Sequence, residues 1–236
     1  MKTVIVDERI SDACERALLI RGFRVLKLSR DSRLGDAVCS HPDTVLFKCE
    51  DHIITTAEYC DDAAYFFSDL REYCPEVKIS FSADERGKEY PRDCVMNALV
   101  IGNKIFAKSD TLSDKIKEFA IERGMKICHT RQGYPACTTL ALGDFAITAD
   151  RGMAKALESE GIEVTLIREG GITLVGCEYG FIGGASGVCG DKVYFIGDIA
   201  SHPDGEIICD VLRRRGFEPI SLSTEPLTDC GGLIFI

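Results

Sequence analysis

One pattern recurs five times along the chain, and this repetition limits the possible folds more than any other feature. Each copy has a short β-branched or aromatic strand, an amphipathic helix, a Gly or Pro, and a second strand. The first strands of the copies are TVIVD, HIITT, KIFAKSD, FAITAD and VYFIGD. Further apolar stretches lie between the copies or end the chain: TVLFK, ALVIG, TLALG, GFIGG and GLIFI. The repeat is therefore strand–helix–strand–strand, and its period of roughly 40–50 residues is typical of closed radial arrays.

The two ends of the chain fit a closed ring. The chain begins on TVIVD, a strand that the first unit has in excess, and ends on GLIFI, so the N-terminal strand can complete the last unit. The sequence thus predicts a single α/β domain, a propeller of five pseudo-symmetric units. Their approximate boundaries are 3–50, 51–102, 103–143, 144–190 and 191–236.

The charge balance limits the partners. Lys and Arg number 28 against 38 Asp and Glu, a net charge of -10. That field repels phosphate backbones and attracts cations, so we expect a cationic small molecule as ligand and no nucleic acid. No apolar run reaches about 18 residues, and no basic signal-peptide region is present, so we expect no membrane span and a cytoplasmic protein. The 12 Cys should then be reduced thiols. Nothing in the pattern indicates an oligomeric state.

Three residues stand where chemistry is feasible. Cys230 comes just before the last strand and is followed by two glycines, so a planar electrophile could approach its thiolate; the alternative is a small buried apolar residue. His129 ends a strand and can act as general acid or base, although capping or packing also explains many histidines. Asp43, in HPDTVLF, can pair bidentately with a guanidinium or simply begin a turn.

The five units and these three stretches resemble the penteins, the α/β propellers of the guanidine-group-modifying enzymes. That superfamily includes dimethylarginine dimethylaminohydrolase, arginine deiminase and agmatine deiminase, and also a ribosome anti-association factor that does no chemistry. The resemblance implies that Cys230 is the nucleophile, that His129 is the acid and base, and that Asp43 grips the substrate. It requires no cofactor.

The chain also departs from the family pattern. Lys48 and Cys49 stand where the family usually has a Glu-Asp pair, and Asn97 replaces its second substrate-gripping Asp. Because Asn cannot neutralise a cation, three alternatives remain: the substrate is less cationic than arginine, other carboxylates such as Glu178 and Asp93 substitute, or the site no longer turns over.

Five cysteines recur at one place in each unit, two to five residues before an apolar stretch: Cys39, Cys94, Cys137, Cys177 and Cys230. We expect their sulfurs to gather around the mouth of the central channel. Small residues suit a narrow channel, which explains them without a metal; a zinc ion or an iron–sulfur cluster held by the five thiolates is the minority hypothesis.

The sequence therefore leaves three functions open. The first is a Cys-dependent hydrolase or deiminase that acts on a guanidine or amidine through a covalent thiouronium intermediate. The second is a non-catalytic protein of the same fold that binds a ligand or a partner, which the substitutions at Lys48, Cys49 and Asn97 favour. The third is a thiolate metal-binding protein built on the ring of cysteines.

Overall fold

A computed structural model describes the whole chain, Met1–Ile236. The strands are β1 Thr3–Asp7, β2 Arg24–Leu28, β3 Phe47–Cys49, β4 His52–Thr56, β5 Lys78–Ser82, β6 Leu99–Ile101, β7 Lys104–Ala107, β8 Lys126–His129, β9 Thr139–Leu142, β10 Phe145–Thr148, β11 Glu163–Leu166, β12 Ser186–Cys189, β13 Lys192–Phe195, β14 Glu218–Ser221 and β15 Ile234–Phe235. The helices are α1 Asp12–Ile20, α2 Pro42–Val45, α3 Ala57–Asp62, α4 Ala64–Tyr73, α5 Asp114–Glu122, α6 Pro135–Thr138, α7 Arg151–Ser159 and α8 Gly205–Arg214.

The strands form five three-stranded sheets, ordered β15-β1-β2, β3-β4-β5, β6-β7-β8, β9-β10-β11 and β12-β13-β14. In each sheet the middle strand runs antiparallel to one neighbour, the inner strand, and parallel to the other, the outer strand. The first sheet joins both chain ends, with Val4 opposite Phe235. The five-unit α/β propeller predicted from the repeat, completed by the N-terminal strand, is therefore confirmed.

The inner strands lie around the axis: β6 lies beside β9, β9 beside β12, and β12 beside β15. The longer helices connect middle strands to outer strands and bury one apolar face each. In α8, Ile208 and Leu212 are buried, and in α7 Met153 and Leu157 are buried. Each such side chain contributes about 1.5–3 kcal/mol of transfer free energy, so the helices hold the sheets in place.

Local signals determine where several helices begin and end. The hydroxyl of Ser11 accepts the Cys14 N–H at the start of α1, and Ser113 caps α5 in the same way. After α5 the backbone at Gly124 has a φ of 62°, a conformation that glycine adopts without a steric penalty. None of the helices has the length and apolar character required to cross a membrane.

Candidate functional site on the pseudo-fivefold axis

Two cavities open on the axis, and each is lined by residues from all five units. The larger one, here called the axial cavity, has a volume of about 470 Å³. The other, called the opposite cavity, has about 330 Å³. The axial cavity is lined by Gly35, Ala37, Val38, His41, Lys88, Asp93, Tyr134, Cys137, Leu174, Cys177, Glu178, Tyr179, Phe181 and Asp229. Its size is within the range of small-molecule sites.

Three carboxylates from different units line the axial cavity: Asp93, Glu178 and Asp229. The Tyr134 hydroxyl donates to Asp93 Oδ2, whereas Asp93 Oδ1 is buried without a hydrogen-bond partner. Burial raises the pKa of Asp93. Glu178 is exposed at the entrance. Since Lys88 is the only Lys or Arg in the lining and is exposed, the cavity favours a cation.

Asp229 is fixed by the backbone around it. Its Oδ1 accepts the Gly231 N–H at 3.0 Å and its Oδ2 accepts the Phe181 N–H at 2.9 Å. A Cβ on Gly184 would lie only 2.0 Å from Asp229 Oδ1, so only glycine allows the backbone to approach this closely. Burial raises the pKa of Asp229 to about 6.

His41 lies between two carboxylates. Its Nδ1 is 3.8 Å from Asp229 Oδ1 and its Nε2 is 3.9 Å from Asp7 Oδ2. The side chain is 1% exposed, and neither ring nitrogen has a hydrogen-bond partner. Burial lowers the pKa of His41, and this effect exceeds the opposing attraction of the two carboxylates. The imidazole is therefore neutral at neutral pH.

Asp43 and Cys137 separate the two cavities. Asp43 lines the opposite cavity and Cys137 the axial cavity, yet their ligand atoms and one from His41 all lie within 4.8 Å of one another. Burial raises the pKa of Asp43 to about 6. The rest of the opposite cavity is mostly apolar and contains Lys48. A guanidinium held by Asp43 there would meet this amine and few other polar groups.

The structure does not bring Cys230 and His129 together at one cavity. Cys230 is 8% exposed and packs in an apolar cluster with Cys14 and Leu233. Burial raises the pKa of Cys230 far above that of a free thiol, and the charges of nearby carboxylates raise it further. His129 ends the outer strand β8, is exposed, and lies 2.8 Å from Ser109 Oγ through its Nδ1. It lines a separate surface groove.

Asn97 and Glu178 have different surroundings. Asn97 is 1% exposed; its Oδ1 accepts the Ala136 N–H at 2.9 Å and its Nδ2 donates to Cys137 Sγ at 3.2 Å. It therefore holds the α6 turn and its thiol. Glu178 lines the axial cavity together with Asp93, so the two carboxylates named as substitutes do meet there.

The five recurring cysteines do not gather, because only Cys137 and Cys177 line the axial cavity. Cys39 Sγ donates to the Asp36 carbonyl and Cys94 Sγ to the Pro91 carbonyl, whereas Cys177 is exposed. No three of the sulfurs lie within 4.8 Å of one another; the one cluster of that kind in the chain combines a single cysteine with His41 and Asp43. The expected ring of five sulfurs is thus not formed, and the structure has no five-thiolate zinc or iron–sulfur site.

Sequence reasoning missed His41 and Asp229, as well as the tyrosines Tyr134 and Tyr179 of the same cavity. His41 precedes Pro42 and Asp229 precedes Cys230, and neither position carries a local sequence signal for a binding site. The signal that could have found them is their place in the repeat. Both precede an inner strand by a few residues, as Asp93, Cys137 and Glu178 do.

Comparisons with known proteins agree with this architecture. A dimethylarginine dimethylaminohydrolase in adduct with S-methyl-L-thiocitrulline is 11% identical, with a TM-score of 0.59; the match covers 94% of this chain and 92% of that one. A cysteine-to-serine variant of the Pseudomonas aeruginosa enzyme in complex with citrulline is 12% identical, with a TM-score of 0.55. The match covers 94% of this chain and 92% of that one. An agmatine deiminase from C. jejuni is 7% identical, with a TM-score of 0.55, and the match covers 94% of this chain and 87% of that one.

The protein thus has the pentein fold of the guanidine-group-modifying enzymes. Residues 5–234 match the profile of a family of unknown function, DUF6873, and the chain belongs to that family. Among curated proteins no sequence matches it.

Proposed function

We propose that the protein binds a small amidine or guanidine compound in the axial cavity. The observation that carries this proposal is the meeting of Asp93, Glu178 and Asp229 with Tyr134 and Tyr179 in one cavity of about 470 Å³. Carboxylates accept the N–H donors of a planar amidinium pairwise, and tyrosine rings attract a cation. One structure with the same fold is an adduct with S-methyl-L-thiocitrulline, whose isothiourea group is amidine-like, which supports a ligand of this class.

Asp93 is the carboxylate best suited to hold the charge. It is 7% exposed, and its Oδ1 lacks a partner, so a ligand N–H would satisfy an atom that is otherwise buried alone. Glu178 is exposed and can draw the cation to the entrance, where solvent weakens the attraction. Binding at the axial cavity requires no charge at Asn97, because Asp93 and Glu178 supply the negative charge that balances the cation.

Benzamidine and its neutral isostere benzamide provide a direct comparison. By calorimetric titration at neutral pH we expect benzamidine to bind at least about tenfold more tightly, a difference of about 1.4 kcal/mol. Asp93→Asn should abolish most of this preference, and Glu178→Gln should weaken benzamidine by no more than about fivefold, as for an exposed pair. Glu76→Gln, an exposed acid on the turn before β5, is the control and should change nothing. Equal affinity for the two compounds would refute the proposal.

A second candidate function is a Cys-dependent hydrolase that acts on the same class of compound. It is favoured by two thiols that line the axial cavity, Cys137 and Cys177, and by the position of Cys230 directly after Asp229 in the chain. The Cys230 side chain packs in the adjacent apolar cluster, so it would have to turn toward the cavity to react. The Cys230 thiolate would attack the amidine carbon, and an amine would leave with a proton. Water would then hydrolyse the thiouronium formed from a guanidine, releasing a urea and the thiol, or the thioimidate formed from an amidine, releasing an amide and the thiol. His129, on an outer strand, would need a rearrangement to serve as the acid and base; His41 already lies at the cavity.

Chloroacetamidine and chloroacetamide distinguish this candidate from simple binding. If the hydrolase is correct, the cationic probe should alkylate Cys230 at least about tenfold faster than the neutral one, since the acidic cavity concentrates it. Cys230→Ser should remove this fast phase, and Cys60→Ser, at a half-buried thiol on α3, should retain it. Equal rates at Cys230 would exclude the hydrolase, whereas benzamidine titration separately decides ligand binding.

A further inference from the structure

The floor between the two cavities holds a set of metal-ligating atoms that the proposed ligand binding does not use. One ligand atom each from His41, Asp43 and Cys137 lies within 4.8 Å of the others. Zinc bonds of about 2.0 Å to nitrogen and 2.3 Å to sulfur give donor–donor distances of about 3.5 Å, so the three side chains would have to close by about 1 Å. Nitrogen, oxygen and sulfur donors together suit a borderline-soft divalent cation.

The polar atoms of this floor cluster lack the partners that buried groups usually have. Both ring nitrogens of His41, a side chain that is 1% exposed, and Oδ2 of Asp43 make no hydrogen bond. Buried polar groups without a partner are rare in folded proteins and destabilise the fold. A cation at the centre of the cluster would satisfy a nitrogen and an oxygen at once.

The neighbours of the cluster orient its ligands. Whichever ring nitrogen of His41 binds a metal, the other faces a carboxylate, Asp229 at 3.8 Å or Asp7 at 3.9 Å. That is the usual second partner of a metal-binding histidine. The Asn97 amide, itself held by the Ala136 N–H, donates to Cys137 Sγ at 3.2 Å, which stabilises a thiolate.

The charge of the surroundings also favours a cation. Asp7 pairs with Arg9, but neither Asp43 nor Asp229 has a Lys or Arg partner. Cys137 would bind a metal as its thiolate, so its thiol proton would be released on binding.

We propose that His41, Asp43 and Cys137 form a site for one divalent cation of the zinc type at the floor of the axial cavity. The site differs from the ring of five thiolates, since it takes one cysteine from that set and adds a histidine and a carboxylate. It does not depend on the amidine ligand, because the metal can be measured alone.

Untagged protein, freed of metal by chelation, is titrated with Co²⁺ and Zn²⁺. We expect one equivalent to bind, with a thiolate-to-cobalt charge-transfer band. Cys137→Ser should abolish that band, and both Cys137→Ser and Asp43→Asn should weaken binding by more than the roughly 10–100-fold typical of an outer-sphere partner. Cys94→Ser, a buried cysteine at the equivalent place in the second unit, is the matched control and should bind as the wild type does.

A result independent of any variant comes from X-ray absorption of the zinc-loaded wild type. We expect one sulfur and otherwise nitrogen or oxygen donors around the metal. Two or more sulfurs, less than stoichiometric binding, or a charge-transfer band that survives Cys137→Ser or disappears in Cys94→Ser would overturn the proposal.

Discussion

Gly183→Ala should lower the free energy of unfolding by about 3–5 kcal/mol, or prevent folding altogether. A Cβ at this position would lie 2.1 Å from the Ala136 carbonyl oxygen and 2.7 Å from that of Cys137. These are backbone atoms of the α6 turn, which cannot move aside without displacing the inner strand β9. Denaturant unfolding of the purified variant measures the effect.

Gly35→Ala is the control for this substitution, since Gly35 also lines the axial cavity. Its Cβ would lie 3.8 Å from the Lys88 carbonyl oxygen, an ordinary contact, so we expect a change within about 0.5 kcal/mol. If Gly183→Ala were as stable as Gly35→Ala, the backbone of the fourth unit at Gly183 could not lie this close to the α6 turn of the third unit.

Arg86→Met should destabilise the protein by about 3–5 kcal/mol, because the buried carboxylate of Asp31 loses one of its two arginine partners. The Arg86 side chain is fully buried and donates to Asp31 Oδ2 at 3.0 Å, to the Val45 carbonyl at 2.6 Å and to Thr55 Oγ1 at 3.1 Å. Burial lowers the pKa of Arg86 to about 10, against the opposing attraction of Asp31. Methionine fills a similar volume but donates nothing.

Arg86 also fixes the segment that leads to Asp93, so its loss should weaken benzamidine binding as well as stability. Arg92→Met is the control: Arg92 pairs with Glu85 at the surface, and such pairs contribute about 0–1 kcal/mol. Chemical denaturation measures the free energy of unfolding of Arg86→Met and Arg92→Met. Equal values for the two variants would contradict a structural role for the buried ion pair.

The sequence predicted the fold well because the signals that define each unit are local. Strand and helix periodicities, the caps at Ser11 and Ser113, and the glycine after α5 all act within a few residues. Local signals can also mislead: Ser201 stands two residues before Pro203, as a helix-capping serine would, yet it does not cap α8. It lies in a short 3-10 turn, where its hydroxyl donates to the Asp198 carbonyl, and α8 begins only at Gly205.

The candidate site was less predictable, because it depends on which side chain of a neighbouring pair faces the axis. Asp229 lines the cavity, whereas the next residue, Cys230, packs into the apolar cluster beside β1. Likewise His129 ends a strand, as expected, but that strand is the outer one of its sheet. His41 meets Asp7 and Asp229 only when the ends of the chain close the ring, and no local pattern contains this information.

The most direct test of the central claim, that the axial cavity is the ligand site, uses the exposed thiol of Cys177 as a probe of occupancy. Cys177 lines the cavity, whereas Cys209, on α8, is a half-buried thiol outside it. The rate at which neutral iodoacetamide alkylates each is measured by mass spectrometry with and without benzamidine. At about ten times its Kd, benzamidine should slow alkylation of Cys177 by about tenfold and leave Cys209 unchanged. An unchanged rate at Cys177 under saturating benzamidine would contradict the account.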